Sequence, residues 1–505
     1  MSTLKRNIIA NYASQLYVTG VGITILPLYI KYMGAESYGL VGFFAMLQAW
    51  FTVLDLGLSP TISRETARYN GGSMSGLEFR RLLRALSMIF LGIAVFGATV
   101  LLISSERIAS NWLTVEVLSI EEVMFAVQVM SVSVALRWIC GLYRGIVTGS
   151  EKLVWLSAFN VFIATLRFLV VFISMWLFGF TPIVFFIHQL IVAGIELAGV
   201  WLMAQKLIPP VDYRKESIGW SFKPVTPLLK FSLTIAFTSS VWVLVTQTDK
   251  LILSGILPLE EYGYFTLAVL VASGIMIISG PVSSAIMPRM ARLHAENKND
   301  EMLKVYRNST QLVSVLAGSA AIVITICAEP LLYLWTGNNE LVETAAPILK
   351  LYAIGNGMLA ISAFPYYLQY ALGNLRYHFF GNALMALILI PSVIYAAKHY
   401  GGLGAGLVWL SVNLFYLIFW ASFVHFKLVS KLVFSWLMLD VFLILLPTAI
   451  VAEVFSSVVL DYSSSEIVQL FQIMLVAVVC IFISGICSES VRANFIRKLE
   501  GVIHG

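Results

Sequence analysis

The chain contains fourteen apolar runs, and their repetition limits what it can fold into. An α-helix needs about 20 apolar residues to cross the ~30 Å hydrocarbon core of a bilayer. The runs cover approximately residues 8–30, 38–60, 83–104, 122–147, 153–179, 182–206, 228–256, 262–288, 308–329, 345–372, 377–397, 402–426, 432–454 and 467–487. Only 12% of the residues are charged, against about 25% in soluble proteins. We therefore expect an all-α polytopic membrane protein with about 14 transmembrane helices, and we exclude a soluble enzyme, a disordered chain and a nucleic-acid-binding module.

The positive charges predict the orientation of these spans. Of the 32 Lys and Arg residues, 25 fall in connections on one side of the membrane and four on the other. The remaining three, Arg137, Arg167 and Lys250, lie inside spans. Because cytoplasmic connections are the ones enriched in Lys and Arg, both termini are expected in the cytoplasm. No connection is large enough to form a domain, so the function is expected inside the membrane.

An internal repeat relates residues that are 224 positions apart. Glu36, Tyr38 and Gly39 pair with Glu260, Tyr262 and Gly263 at this shift. A shift of six helices preserves their orientation, so the repeat is of the parallel kind found in two-lobed transporters. It predicts two six-helix lobes around a central cavity, formed by residues 1–210 and 211–428. Residues 429–505 would hold a C-terminal helix pair and a cytoplasmic tail.

Each predicted lobe begins with an unusually polar span. The first span carries Asn11 and Gln15, and the seventh carries Gln247. Polar groups without partners are expensive in hydrocarbon, so these side chains are expected to line a wet cavity. Hydrogen bonds between helices are the alternative.

Arg137, Arg167 and Glu196 lie inside spans of the first predicted lobe, and Arg144 lies at the inner end of span 4. Charges at membrane depth mark functional sites by default, because burying them is costly. The planar guanidinium group suits phosphate oxygens, so the arginines predict an anionic, phosphate-bearing substrate. At the positions related to Arg137 and Arg144 by the repeat, the second lobe has Ile361 and Leu368. The alternative is an internal Arg–Glu pair that fixes helix packing.

Asp249 and Lys250 are a second pair of charges, in span 7. Adjacent helical positions point about 100° apart, so we expect the two side chains not to pair directly. Asp249 is therefore a candidate for coupling transport to protons or sodium ions. Neutralisation of an arginine, as a gate without ion binding, is the alternative.

A spacing of four residues separates Gly141, Gly145 and Gly149 in span 4. Small residues at this spacing lie on one helix face and allow a neighbouring helix to approach closely. We expect them to serve architecture rather than transport.

Several short motifs resemble those of Wzx-type O-antigen and exopolysaccharide flippases of the MOP superfamily, relatives of MATE exporters and of the lipid II flippase. They are Gly34–Gly39, Leu54–Pro60 with Arg64–Arg68, and Thr248–Ser254. The resemblance covers about residues 5–427. The two extra spans at the C-terminus are similar to those of the lipid II flippase, in which such a pair forms a groove for the lipid tail.

The resemblance implies a non-enzymatic protein of the bacterial inner membrane. Its implied activity is to flip an undecaprenyl-diphosphate-linked oligosaccharide to the periplasmic leaflet by alternating access. The implied partners are this lipid, membrane lipids and other polysaccharide-assembly proteins, without nucleic acid or a bound cofactor. Gating or ion coupling is expected at Asp249, Lys250, Glu196, Asp55 and Arg64, and the driving ion (a proton or sodium) is left open.

Two other functions remain as alternatives at this point. A MATE-like antiporter for small molecules would share the fold, but its mostly cationic substrates favour acidic cavities. A membrane-embedded polysaccharide polymerase or ligase would also span the membrane many times, but such enzymes carry catalysis on a sizeable periplasmic loop. No connection of this chain is long enough for such a loop.

Overall fold

The computed structural model describes residues 3–210, 218–461 and 464–493. These residues form helices joined by short connections, and no β-strand occurs among them. The chain divides into two compact units, Met1–Gly263 and Tyr264–Gly505. This division does not fall at residue 210, where the repeat predicts a boundary between lobes, and the arrangement of lobes stays a prediction.

The first unit contains nine complete helices within the described residues. They are α1 (Thr3–Met33), α2 (Ala35–Phe51), α3 (Leu58–Asn70), α4 (Gly76–Arg107), α5 (Ile120–Gly149), α6 (Leu153–Thr165), α7 (Val171–Phe178), α8 (Pro182–Leu207) and α9 (Leu229–Ser254). Short 3-10 segments at Thr52–Asp55 and Thr226–Leu228, and π-helical segments at Ile108–Trp112 and Leu166–Val170, extend or join these helices. Helix α10 (Leu259–Ala295) begins in this unit and continues into the second.

The second unit holds the remaining helices of the described chain. They are α11 (Asn299–Val313), α12 (Ser319–Ile326), α13 (Ala328–Thr336), α14 (Asn339–Ser362), α15 (Phe364–Ala371), α16 (Arg376–Phe415), α17 (Ala421–Leu428), α18 (Leu432–Ser435), α19 (Leu443–Val459) and α20 (Glu466–Cys487). Three π-helical segments, Ser314–Gly318, Tyr416–Trp420 and Trp436–Phe442, connect helices without a turn.

Twelve segments of the described residues are long and apolar enough to cross a membrane, which confirms a multi-pass membrane protein but not the predicted count of fourteen. Two features account for the difference. Helix α9 is 26 residues long and is not among the twelve. The segment Arg376–Leu428 counts once although it has 53 residues and is interrupted at Gly401, whose φ of 56° and ψ of −141° are not helical.

Helix ends coincide with the local signals that the sequence provides. Ser75 and Ser119 each form a capping box with the glutamate three residues later, at the starts of α4 and α5, which satisfies two backbone N–H groups at each helix start. The predicted break near residue 180 is confirmed, because Gly179 takes a φ of 105° and α8 starts at Pro182.

The glycine stripe of α5 forms a close helix contact in the first unit. A Cβ added at Gly141 would lie 2.8 Å from Ser59 Oγ, and one at Gly145 would lie 2.9 Å from the Ser59 carbonyl oxygen. A Cβ at Gly149 would overlap the carbonyl oxygen of Ser63. The architectural prediction for these glycines is therefore confirmed, and they let α3 pack directly on the α5 backbone.

The repeated motifs occupy equivalent positions in two helices. Glu36 is the second residue of α2, and Glu260 is the second residue of α10. The buried Glu36 carboxylate accepts hydrogen bonds from three consecutive backbone N–H groups, those of Glu116, Val117 and Leu118, at 2.6–2.9 Å. This contact fixes the connection between α4 and α5 to the start of α2.

Asp440 fastens the C-terminal helix pair within the second unit. Its fully buried carboxylate accepts from Arg307 Nε and Nη2 at 2.7 and 2.9 Å and from Gln311 Nε2 at 2.7 Å. Gln311 Oε1 in turn accepts from Ser488 Oγ and from the backbone N–H of Ser490, both at 2.8 Å. The network joins α11 to the segment before α19 and to the end of α20.

We predict that Gly145→Leu lowers the stability of the first unit, because the added atoms cannot fit between α5 and α3. Overpacking of this kind costs about 1–3 kcal/mol. The matched control is Gly92→Leu on α4, where an added Cβ would meet nothing within 4 Å. Thermal unfolding of both variants in detergent is the measurement. Equal midpoints for the two variants would show that the close contact does not limit stability.

Candidate anion-binding site

Helices α5 and α8 place three of the predicted charged residues together. Arg137 and Arg144 are seven residues apart on α5, so they lie two turns apart on one face. Gln189 and Glu196 are also seven residues apart, on α8. Because α5 and α8 pack side by side, the two rows of side chains face each other. We call Arg137, Arg144, Arg167 and Glu196 the arginine cluster.

Arg137 is held by neutral amide groups from two helices. Its Nη1 donates to Gln48 Oε1 of α2 at 2.7 Å, and its Nη2 donates to Gln189 Oε1 of α8 at 2.8 Å. The guanidinium carbon lies 5.1 Å from the centre of the Phe44 ring, a cation–π contact. Its side chain is 8% exposed. These partners fix the position of the guanidinium group without neutralising its charge.

Arg144 makes the direct ion pair of the cluster. Its Nη2 donates to Glu196 Oε1 at 2.7 Å, and its Nη1 donates to Asn160 Oδ1 of α6 at 2.7 Å. The Arg144 side chain is 29% exposed, whereas that of Glu196 is 8% exposed. The packing alternative named from the sequence, an internal Arg–Glu pair, is therefore present, but it neutralises only one of three arginines.

Arg167 lies in the π-helical segment Leu166–Val170, and this widened turn frees carbonyl groups for other partners. The Leu166 carbonyl oxygen is 2.9 Å from His188 Nε2, and the Arg167 carbonyl oxygen accepts from Gln189 Nε2 at 2.9 Å. Side chains of α8 thus bond to the backbone around Arg167, whose charge is near enough to that of Glu196 for the two to interact. π-Bulges of this kind are frequent at functional sites.

The cluster keeps an excess of two positive charges and several unused hydrogen-bonding atoms. Within the described residues, Arg137 Nε, Arg167 Nε and Glu196 Oε2 are buried without a hydrogen-bond partner. Arg137 Nε and Glu196 Oε2 are 4.0 Å apart, too far for a hydrogen bond. Unsatisfied donors beside an unbalanced charge can bind an anion such as phosphate or diphosphate.

The matching positions of the second unit carry no charge. Ile361 and Leu368 are completely buried and belong to an apolar core with Tyr306, Phe364 and Trp436. Arg137 and Arg144 therefore have no charged counterpart at the positions that the repeat relates to them, as the repeat comparison predicts.

The polar residues of spans 1 and 7, which were expected to line a cavity, lie outside the arginine cluster. Asn11 and Gln15 are exposed on α1, where Tyr17 instead contacts α6 through a 2.7 Å hydrogen bond with Thr165 Oγ1. Gln247 is half-buried, and its Nε2 lies 3.5 Å from Thr246 Oγ1 on its own helix. The structure thus places none of these three side chains in the arginine cluster, and their role in lining a cavity stays a prediction.

The expectation that Asp249 and Lys250 cannot pair is wrong. Lys250 Nζ lies 3.5 Å from Asp249 Oδ1 and donates to the Thr246 carbonyl oxygen at 2.7 Å. The long lysine side chain folds back along α9, which the angular argument about Cβ directions ignored. Asp249 is 2% exposed, so the ion pair is a buried one.

Asp55 and Arg64 lie at the break between α2 and α3. The Asp55 carboxylate accepts from the backbone N–H of Ser59 at 3.2 Å and from Ser59 Oγ at 2.6 Å, which caps the start of α3. Leu56 and Gly57 are both left-handed, with φ of 48° and 69°, and make the turn that brings Asp55 there. Arg64 is half exposed and lies 4.0 Å from Glu65.

Sequence reasoning missed the neutral residues that complete the cluster. Gln48, Asn160 and Gln189 each bind a guanidinium group, yet a single amide on an apolar helix gives no sequence signal. It also missed Asp440, although a carboxylate within an apolar run is the signal that identified Glu196.

Two family models match the chain. One, described as a polysaccharide biosynthesis protein, matches residues 4–294, more than half of the chain. The other, described as MatE, matches residues 234–394. The two matches overlap between residues 234 and 294.

Similar proteins are found by sequence and by structure. A Shigella flexneri protein named as a candidate O-antigen transporter is 21% identical over 415 residues, which are 81% of this chain and 94% of that protein. A structure of the lipid II flippase MurJ, in an inward closed conformation, is 15% identical and matches with a TM-score of 0.75 over 98% of this chain and 99% of its own. An inward-facing multidrug resistance MATE family transporter of the MOP superfamily is 13% identical, with a TM-score of 0.65 over 84% of this chain and 98% of its own. These likenesses show a shared fold, and the names are those of transporters and a flippase rather than of enzymes.

We predict that Asp55→Asn leaves stability and transport close to those of the unaltered protein. The amide oxygen can still accept from Ser59, so the cap of α3 is kept while the negative charge is lost. Asp55→Ala, which removes the acceptor, should lower the free energy of unfolding by about 1 kcal/mol. Thermal unfolding and glycan export in cells are the measurements. Lost export in a stable Asp55→Asn protein would instead support the gating role expected from the sequence.

Proposed function

The chain belongs to the polysaccharide biosynthesis protein family, and we propose that it flips an undecaprenyl-diphosphate-linked oligosaccharide across the bacterial inner membrane. The cargo would be an O-antigen or exopolysaccharide repeat unit that moves from the cytoplasmic to the periplasmic leaflet. The family match and the shared fold support the resemblance to MOP-superfamily flippases. The O-antigen assignment of the Shigella flexneri relative favours this class of substrate.

The single observation that carries the proposal is the arginine cluster. Three guanidinium groups in the membrane region of the first unit accompany one carboxylate, and the other hydrogen-bond partners of Arg137 and Arg144 are neutral amides. Such a cluster is costly in an apolar environment and is compensated when a dianionic group binds. The diphosphate is the part that all substrates of this class share, whatever the sugar.

A MATE-like antiporter is the second candidate, favoured by the MatE match over residues 234–394. An organic cation would be repelled by the excess positive charge of the arginine cluster. The match therefore fits shared ancestry better than a shared substrate, and we favour the flippase.

Alternating access, with both termini in the cytoplasm, is the mechanism that we propose. The orientation is supported by the positive-charge asymmetry, with 25 Lys and Arg residues on one side and four on the other. The substrate diphosphate would bind the arginine cluster from the cytoplasm and leave toward the periplasm. Membrane lipids, and the assembly enzymes that make and use this substrate, would be its neighbours.

Coupling to a proton or a sodium ion at Asp249 completes the proposal. The carboxylate is buried beside Lys250, so the ion pair must loosen before a cation can bind. An entering proton or sodium ion would replace the Lys250 ammonium group beside Asp249. Because Lys250 would have to move away, ion entry would be linked to a rearrangement of α9.

We predict that deleting the gene causes the lipid-linked oligosaccharide to accumulate on the cytoplasmic leaflet. Loss of the gene thus provides the background in which variants are tested.

We predict that Arg137→Ala, Arg144→Ala and Arg167→Ala each fail to restore export in the deletion strain, although the protein reaches the membrane. The corresponding lysine variants should restore export only in part, because an ammonium group keeps the charge and loses the planar fork. Arg107→Ala, at an exposed arginine at the end of α4, is the matched control. Normal export by all three alanine variants would refute the anion site.

We predict that Asp249→Asn abolishes the dependence of transport on pH and sodium. The amide preserves the shape of the side chain and removes its negative charge. Glu121→Gln, at an exposed glutamate of α5, serves as the control. If the Asp249→Asn protein transports with an unchanged dependence on both ions, Asp249 is not the coupling residue.

A further inference from the structure

We propose that Glu196 is a built-in counter-ion that the substrate diphosphate displaces from Arg144, so that Glu196 sets the affinity for substrate and drives its release. This inference rests on the proposed function and assigns a specific role to one residue of that site. Glu196 would be a positioning residue, because it acts through the arginines rather than on the substrate.

The first observation is that the Glu196 carboxylate is only half used. Oε1 accepts from Arg144 Nη2 at 2.7 Å, while the buried Oε2 has no hydrogen-bond partner among the described residues. Asp440 of the second unit differs in this respect. Both of its carboxylate oxygens accept hydrogen bonds, from Arg307 and Gln311. Asp440 is therefore fully bonded within the protein, whereas Glu196 keeps one oxygen that can accept another hydrogen bond.

A second partner for Glu196 is already in place. Arg137 Nε lies 4.0 Å from Glu196 Oε2 and is itself buried without a hydrogen bond in the described chain. A shift of about 1 Å would bring the two atoms to hydrogen-bonding distance. Glu196 can therefore give up Arg144 and gain Arg137, so the exchange leaves no buried charge without a partner.

Arg144 is the arginine suited to make the exchange. Its side chain is 29% exposed, against 8% for Arg137, and its other partner is the neutral Asn160 amide. Arg137 is fixed by Gln48 and Gln189 from two different helices. An incoming diphosphate thus reaches Arg144 first, and Arg137 stays in position to receive Glu196.

The charges balance in the exchanged state. A diphosphate diester carries two negative charges, which match the excess of two positive charges in the cluster. While the diphosphate is bound, Glu196 remains nearby as a competing anion for Arg144. When Glu196 pairs with Arg144 again, the binding of the diphosphate to Arg144 would weaken. A transporter needs such a step because it must release the substrate that it binds.

The test compares binding of farnesyl diphosphate, a soluble polyprenyl diphosphate, to the purified full-length protein and its variants by calorimetry. Glu196→Gln removes the competing charge and keeps the side-chain shape, so we expect about tenfold tighter binding, equivalent to ~1.4 kcal/mol. Turnover of the same variant should fall, because release slows. A purely structural Glu196 would predict unchanged or weaker binding, and that result would overturn the inference.

Asn160→Asp should have the opposite effect to Glu196→Gln, because it adds a negative charge beside Arg144 instead of removing one. It adds a carboxylate at a position that already accepts from Arg144, so we expect binding at least tenfold weaker. If Glu196→Gln does not fold, Asn160→Asp decides the question: weaker binding supports competition for Arg144, and unchanged binding overturns it. Failure of the folded, unaltered protein to bind farnesyl diphosphate would refute the proposed diphosphate site itself. Normal binding without a change in either variant would refute only the exchange role of Glu196.

Discussion

The cost of keeping charge in an apolar environment explains most of how the first unit is organised. A guanidinium group at membrane depth needs partners, and the partners of Arg137 and Arg144 come from α2, α6 and α8. The same hydrogen bonds therefore hold the helices together and keep the positive groups in fixed positions. Stability and the proposed anion recognition would have a common origin here, so the proposed site is preorganised before any substrate arrives.

The two units use buried charge in opposite ways. In the second unit, Asp440 and Arg307 neutralise each other and attach the C-terminal helices, while Ile361 and Leu368 fill the positions that correspond to arginines. In the first unit, neutral amides hold Arg137 and one side of Arg144, and the single carboxylate of Glu196 leaves the cluster with an excess of positive charge. This asymmetry fits a protein in which one unit recognises the anionic part of the cargo.

Two kinds of feature could be predicted from the sequence: residues that repeat with the spacing of a helix, and charges whose burial in an apolar run is energetically costly. Apolar runs, the glycine stripe of α5 and the break at Gly179 follow from helix geometry, and Arg137, Arg144 and Glu196 stand out as charges in apolar runs. Gln48, Asn160 and Gln189 could not be found this way, because only tertiary packing shows which amides face an arginine. The Asp249–Lys250 pair was misjudged because Cβ directions do not describe a side chain with four rotatable bonds. Asn11 and Gln15 are exposed, and polarity alone does not show what they face.

We propose that this chain carries a diphosphate-linked lipid across a bilayer. The most direct measurement reconstitutes the purified protein in vesicles that contain a fluorescent polyprenyl-diphosphate oligosaccharide, and follows its exposure to a membrane-impermeant reagent over time. We expect the protein to transfer this lipid between leaflets, and we expect the same lipid with a neutral linkage in place of the diphosphate to stay in its leaflet. Equal transfer of both lipids, or transport of an organic cation without transfer of either lipid, would contradict the proposed function.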